Sequence, residues 1–175
     1  MKATFFVLGS NVELRPDVVK RMYEEGHYIA SHGYSHVYSQ IYSSPQSVLD
    51  EYNRCNDLIR NAIGVPEYNS HLFRFPGGLV GGKYAELKRD AKELLLQNEI
   101  LNIDWNALTG DAETNELSID FELTRLQETT QNKNSIILLM HDAPIKSVTA
   151  DALPQIISTL REQGYEFKNF YEIIK

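Results

Sequence analysis

The sequence has one cysteine, one tryptophan, no excess of positive charge and no long apolar run, and each shortage removes a class of explanation. Cys55 cannot close an internal disulfide, and its place in an apolar helical stripe suits a small buried hydrophobe better than a nucleophile. Seventeen basic residues face 24 acidic ones, a formal charge of −7 without any Lys/Arg-rich run, so no nucleic-acid partner is expected. No apolar stretch approaches the roughly 18 residues of a membrane span. Residues 1–9 are too few and too rich in strand formers to be read as a signal peptide, so no address is expected in the sequence as given and the compartment stays open. What is present, 42% hydrophobic residues over 175 positions, suffices for one core, and residues 1–175 read as one domain.

The apolar run Ala3-Thr4-Phe5-Phe6-Val7-Leu8 suits a strand buried on both faces of a parallel sheet. A helix opens at Arg15-Pro16-Asp17 and ends at Gly26, and Tyr28-Ile29-Ala30-Ser31 is a short strand. Ser44-Pro45 begins a second helix whose positions Val48, Tyr52, Cys55, Ile59 and Ile63 keep the 3.6-residue period until Gly64 and Pro66 stop it. Further strands are predicted over 71–75, 100–103, 136–140 and 166–170, and further helices over 87–97, around Phe121 to Leu126, and from Thr149 to Gly164. Repeated β and α units of this length imply parallel strands with right-handed crossovers, as a TIM-like barrel or an open doubly wound sheet; periodicity does not choose between them.

Four segments carry candidate chemistry. His32 and His36, in Ser31-His32-Gly33-Tyr34-Ser35-His36, stand four residues apart after a strand, where a helical turn points both at one metal ion. The plain alternative is two surface histidines, because the spacing recurs by chance and zinc needs further ligands. Arg74 ends a strand beside Pro76-Gly77-Gly78, a geometry suited to clamping a carboxylate and stabilising an oxyanion, or to a structural ion pair. Asp104-Trp105-Asn106 through Gly110-Asp111 and the run Leu139-Met140-His141 leave predicted strands at their carboxyl ends, the edge where α/β folds place their sites. Helix capping for the aspartates and a satisfied core role for His141 are the alternatives.

In this order the four segments resemble the NodB-homology polysaccharide deacetylases, carbohydrate esterase family 4, over nearly the whole chain. The resemblance implies an α/β fold of the distorted TIM-like (β/α) barrel type, with its site at the carboxyl ends of the strands. It implies a hydrolase that removes N-acetyl groups from a polysaccharide such as peptidoglycan or chitin, in a secreted or cell-envelope setting. By resemblance His32 and His36 match the metal ligands, usually of zinc, Arg74 the residue that orients the catalytic base, and His141 the general acid tuned by Asp111. Gly77 stands where many relatives have a tyrosine whose backbone N–H helps hold the oxyanion, and Trp105 with Leu139 match the acetyl pocket. Ala112 replaces a tryptophan that many relatives place after this aspartate, which leaves the floor of the sugar groove open.

The assigned chemistry is consistent with what amide hydrolysis needs: an activated water and a donor for the departing amine. One departure stands out. The family's first motif, a strand ending in Asp-Asp, supplies the base and a third metal ligand, and no Asp-Asp pair occurs in this sequence. The domain is therefore expected to be N-terminally incomplete, missing its first strand and helix, to hold zinc weakly, and to self-associate through the uncovered strand at residues 3–8. A truncated or degenerate, inactive carbohydrate-binding relative is the alternative.

Overall fold

A computed structural model of the chain describes residues 1–173. It divides into two compact units, one formed by Met1–Asp104 together with the segment from Phe167 onward, the other by Trp105–Glu166.

In the first unit four strands, β1 (Thr4–Val7), β2 (Tyr28–Ser31), β3 (Leu72–Phe73) and β4 (Leu101–Asn102), lie side by side in that order, all parallel. Helices α1 (Gly9–Leu14) and α2 (Pro16–Glu24) link β1 to β2, α3 (Tyr38–Ile41) and α4 (Pro45–Ile63) link β2 to β3, and α5 (Ala85–Gln97) links β3 to β4. Helix α4 forms because Ser44 Oγ accepts from the Ser47 amide at 3.0 Å, Pro45 occupies the first turn, and Gly64 leaves the helix at φ 73°. Its inner stripe of Cys55, Ile59 and Ile63 packs with Val12, Val19, Ile29 and Tyr68, and Val48 and Tyr52 with Phe73, Phe75 and Leu95. These apolar contacts fix the sheet whose carboxyl ends carry the candidate residues.

In the second unit β5 (Ala107–Leu108) pairs in parallel with β6 (Leu138–Leu139). Helix α6 (Ile119–Thr130) is capped by Ser118, whose Oγ accepts from the Phe121 amide at 3.1 Å, and it packs on α7 (Ser147–Glu162), with Leu126, Ala152, Ile156 and Leu160 buried.

Several expectations change. Strand β1 lies at one edge of the four-strand order, and its residues are half-buried rather than covered on both faces. Helix α1 carries no side-chain cap, so its start had no sequence signal. The segment 166–170 is not a strand. Asn169 and Glu172 close a capping box over the 3₁₀ turn Phe170–Glu172, and this local bonding outweighs the alternation of Glu166, Lys168 and the phenylalanines. Among the described residues no helix is long and apolar enough to cross a membrane.

Cys55 lies fully buried, with its thiol directed at the Val7 carbonyl at 3.3 Å, and burial pushes its pKa up to about 12. An unfolded thiol ionises near 8.5. As pH rises above about 8.5 the unfolded state loses this proton while the folded state keeps it, so stability falls. Iodoacetamide at pH 8 should leave the folded chain unmodified and alkylate Cys55 once urea unfolds it. Labelling of the folded chain at the rate of a free thiol would contradict this burial.

Candidate active site

The end of β2 is held by its neighbours. The His32 amide donates to the Val7 carbonyl at 2.9 Å, and the Arg74 amide donates to the Ser31 carbonyl at 3.1 Å. The His32 ring then returns across the same strand pair, with Nδ1 2.7 Å from the Arg74 carbonyl oxygen. A carbonyl only accepts, so Nδ1 carries the proton and Nε2 of the neutral ring holds the lone pair. The His36 ring lies beside it, with centroids 5.2 Å apart.

No helical turn makes this approach, contrary to the expectation from spacing. Residues 32–37 are irregular, with His36 at φ 55° and Gly33 at φ 83°. Glu51 of α4, which sequence reasoning passed over, holds this loop: Oε2 accepts from the Tyr34 and Ser35 amides at 2.9 and 3.2 Å, and Oε1 accepts from Ser35 Oγ at 2.6 Å.

Arg74, 8% exposed, donates from Nε to the Ile103 carbonyl at 2.9 Å and from Nη2 to the Asp104 carbonyl at 3.2 Å, with its guanidinium 4.0 Å above the Phe6 ring. Burial lowers its pKa to about 10, against the opposing pull of Asp104. The glycine turn that follows is pinned from three sides: Tyr42 Oη donates to the Pro76 carbonyl at 2.6 Å, Lys88 Nζ to the Gly78 carbonyl at 2.6 Å, and the Leu79 amide to Asp104 Oδ2 at 2.8 Å. Gly77 takes φ 74°, and a Cβ there would meet the Tyr38 hydroxyl, so both backbone and space call for glycine. A cavity of about 370 Å³ opens beside it, lined by Tyr38, Gly77, Lys83, Tyr84 and Lys88. Lys88 had a legible signal, since it stands in phase with the buried Ala91 and Leu95 on α5.

In the second unit Asp111, 2% exposed, follows β5 and meets His141, which follows β6. Its Oδ2 accepts from the His141 amide at 2.6 Å, its Oδ1 lies 2.9 Å from His141 Nδ1, and Lys146 Nζ donates to its carbonyl. The bond at Nδ1 leaves Nε2 of His141 at the far side of a ring whose side chain is 43% exposed. Leu139 is half-buried on β6 opposite Leu108, and Trp105 is half-buried where the unit begins.

His32 and His36 suit a divalent ion by donor chemistry, and the carbonyl behind His32 is the kind of support that metal-ligating histidines have. Among the described residues no group of three His, Cys, Asp or Glu side chains forms a fuller cluster.

Parallel βα units with polar side chains at the carboxyl ends of the strands define an α/β protein of the kind that places its chemistry at that edge. A sequence model of the polysaccharide deacetylase family matches residues 1–96, over half of the chain. The chain is 32% identical over 174 residues to a peptidoglycan-N-acetylglucosamine deacetylase of Bacillus cereus, covering 98% of this chain and 60% of that protein, so it spans less than two thirds of this relative. It superimposes on a Streptococcus mutans CE4 esterase with TM-score 0.84 at 29% identity, covering 95% of this chain and 73% of the other. The corresponding values for a polysaccharide deacetylase of Bacillus cereus are 0.80, 31%, 99% and 81%. The chain belongs to the polysaccharide deacetylase family, and its fold is the α/β, distorted-barrel type that the resemblance implied.

Asp111→Ala tests the geometry around His141, because it removes both carboxylate oxygens that the His141 amide and ring meet. Hydrogen exchange of the His141 amide should quicken at least tenfold, roughly the loss of one hydrogen bond to a charged acceptor. Unchanged protection would show that Asp111 does not hold this turn.

Proposed function

We propose that the chain acts in metal-dependent removal of N-acetyl groups from a polysaccharide, with peptidoglycan as the substrate class. The observation that carries the reading is the His32–His36 pair, its first ring fixed at Nδ1 by the Arg74 carbonyl. Support for peptidoglycan comes from the relatives, whose names include peptidoglycan-N-acetylglucosamine deacetylase and, at 31% identity, the peptidoglycan-N-acetylmuramic acid deacetylase PdaC of Bacillus subtilis.

His32 and His36 would hold the ion, with zinc as the proposed metal. A bound divalent ion supplies Lewis-acid polarisation of the acetamide carbonyl and lowers the pKa of water toward 7. The Gly77 N–H donates to the oxygen on which negative charge develops, on a turn that Tyr42, Lys88 and Asp104 keep in place. In the role that the family resemblance gives it, His141, held at Nδ1 by Asp111, would give a proton from Nε2 to the sugar nitrogen once water has added to the acetamide carbon, so that the C–N bond breaks and acetate and a free amine leave. Arg74 holds the end of β4 and places positive charge at the strand edge, and Trp105 and Leu139 shape the acetyl pocket.

A second reading, carbohydrate binding without turnover, is favoured by the lack of a third clustered metal ligand among the described residues. Acetate release from N-acetylglucosamine oligomers and from peptidoglycan separates the two. The first reading expects release that needs zinc, stops on chelation, and falls about 10²- to 10⁴-fold in His141→Ala. Release that survives both chelation and the double change of His32 and His36 to alanine contradicts it. Background release with retained binding of the oligomers selects the second reading.

A further inference from the structure

The loop between the two histidines is irregular, its His36 sits at a positive φ, and yet their rings are brought close. Something outside the loop must hold it there. Of the side chains around it, Glu51 takes the most bonds: both of its carboxylate oxygens are used, and all three donors belong to Tyr34 and Ser35, the residues between Gly33 and His36. Ser35 Oγ passes the restraint on, accepting from the Val37 amide at 3.1 Å on the far side of His36. The fit is close, because a Cβ at Gly33 would lie 2.9 Å from Glu51 Oε2 and 2.9 Å from Ile41 Cδ1. The anchor is rigid as well. Glu51 lies between Val48 and Cys55 on α4, both fully buried, so the helix cannot shift without opening the core.

We propose that Glu51 is the positioning residue of the histidine pair: through the 33–37 loop it sets where the His36 ring stands relative to His32, and so sets the affinity for a divalent cation. The inference rests on His32 and His36 being the metal pair. A carboxylate bonded to the loop between two ligands acts as outer-shell partners do, through geometry rather than by touching the ion, and loss of such a partner commonly weakens metal binding 10- to 100-fold. Geometry also predicts which replacement rescues. In Glu51→Gln the amide oxygen still accepts from the two backbone N–H groups, and its NH₂ can donate to Ser35 Oγ, a hydroxyl that accepts as readily as it donates. Glu51→Asp keeps the charge but withdraws the acceptors by one methylene.

The experiment is calorimetric titration of zinc into the metal-free chain and its variants, with circular dichroism to establish that each is folded and the visible spectrum of bound cobalt to report ligand geometry. Glu51→Ala and Glu51→Asp should each bind zinc 10- to 100-fold more weakly and give an altered cobalt spectrum, while Glu51→Gln stays within about threefold of the parent. If Glu51→Ala does not fold, Glu51→Asp carries the test. Folded alanine or aspartate variants that bind zinc as the parent does overturn the inference, as does a glutamine variant as weak as alanine, which would make charge rather than position the cause. The underlying reading has its own control. If replacing His32 and His36 together leaves zinc affinity unchanged, or the parent binds no zinc, the metal pair itself is wrong; if that double change abolishes binding while Glu51→Ala does not weaken it, only the role of Glu51 falls.

Discussion

One hydrogen bond, from the His32 imidazole to the Arg74 carbonyl, ties together the ends of β2 and β3, the edge of the first unit that carries the candidate histidines. It continues a ladder. Ser31 of β2 stands opposite Phe73 of β3, the Arg74 amide donates to the Ser31 carbonyl, and the His32 ring adds one more link where the two strands end. Because β2 is buried along its whole length, this edge inherits its position from the core rather than from a surface loop. The bond has a chemical consequence beyond order: it assigns the ring proton to Nδ1, and so decides which nitrogen of His32 can meet a cation.

The same restraint recurs at three other buried polar side chains, Arg74, Lys88 and Asp111. Arg74 gives its N–H groups to carbonyls at the end of β4, Lys88 stands buried on α5 against the Gly78 carbonyl, and Asp111 accepts from both the amide and the ring of His141. Leaving any such buried group unbonded costs about 1–3 kcal/mol, more when charged, so these side chains are held to one geometry by the penalty of leaving it. Preorganised donors of this kind suit chemistry in which charge develops at a fixed place.

The sequence made some of this legible and hid the rest for identifiable reasons. Helix α4 could be read because its cap, its proline, its apolar stripe and its terminal glycine agree, and the core formed where they pointed. The residues proposed for the site could be read because they follow apolar runs, which is where strands end. The conformation between His32 and His36 could not. Spacing suggested a helical turn, whereas the loop is shaped by Glu51, a bond spanning 15 or more residues that no local pattern records. The run Tyr28 to Ser31 kept its length as β2, while the six-residue run at 3–8 forms a strand over four residues and the runs at 71–75 and 136–140 over only two each, since a strand extends only as far as its neighbour offers partners. Gly77 illustrates the intermediate case: its type was readable from the turn, but the Tyr38 hydroxyl that excludes a side chain there was not.

The proposed metal pair depends most on the tautomer of His32, and long-range ¹H–¹⁵N NMR of the ¹⁵N-labelled chain reads it directly. Spectra taken without metal and again after zinc is added should show a proton on Nδ1 in both, with the Nε2 resonance moving most when zinc binds. A proton found on Nε2, or loss of the Nδ1 proton when zinc binds, would contradict the bond to Arg74 as the feature that aims this ring.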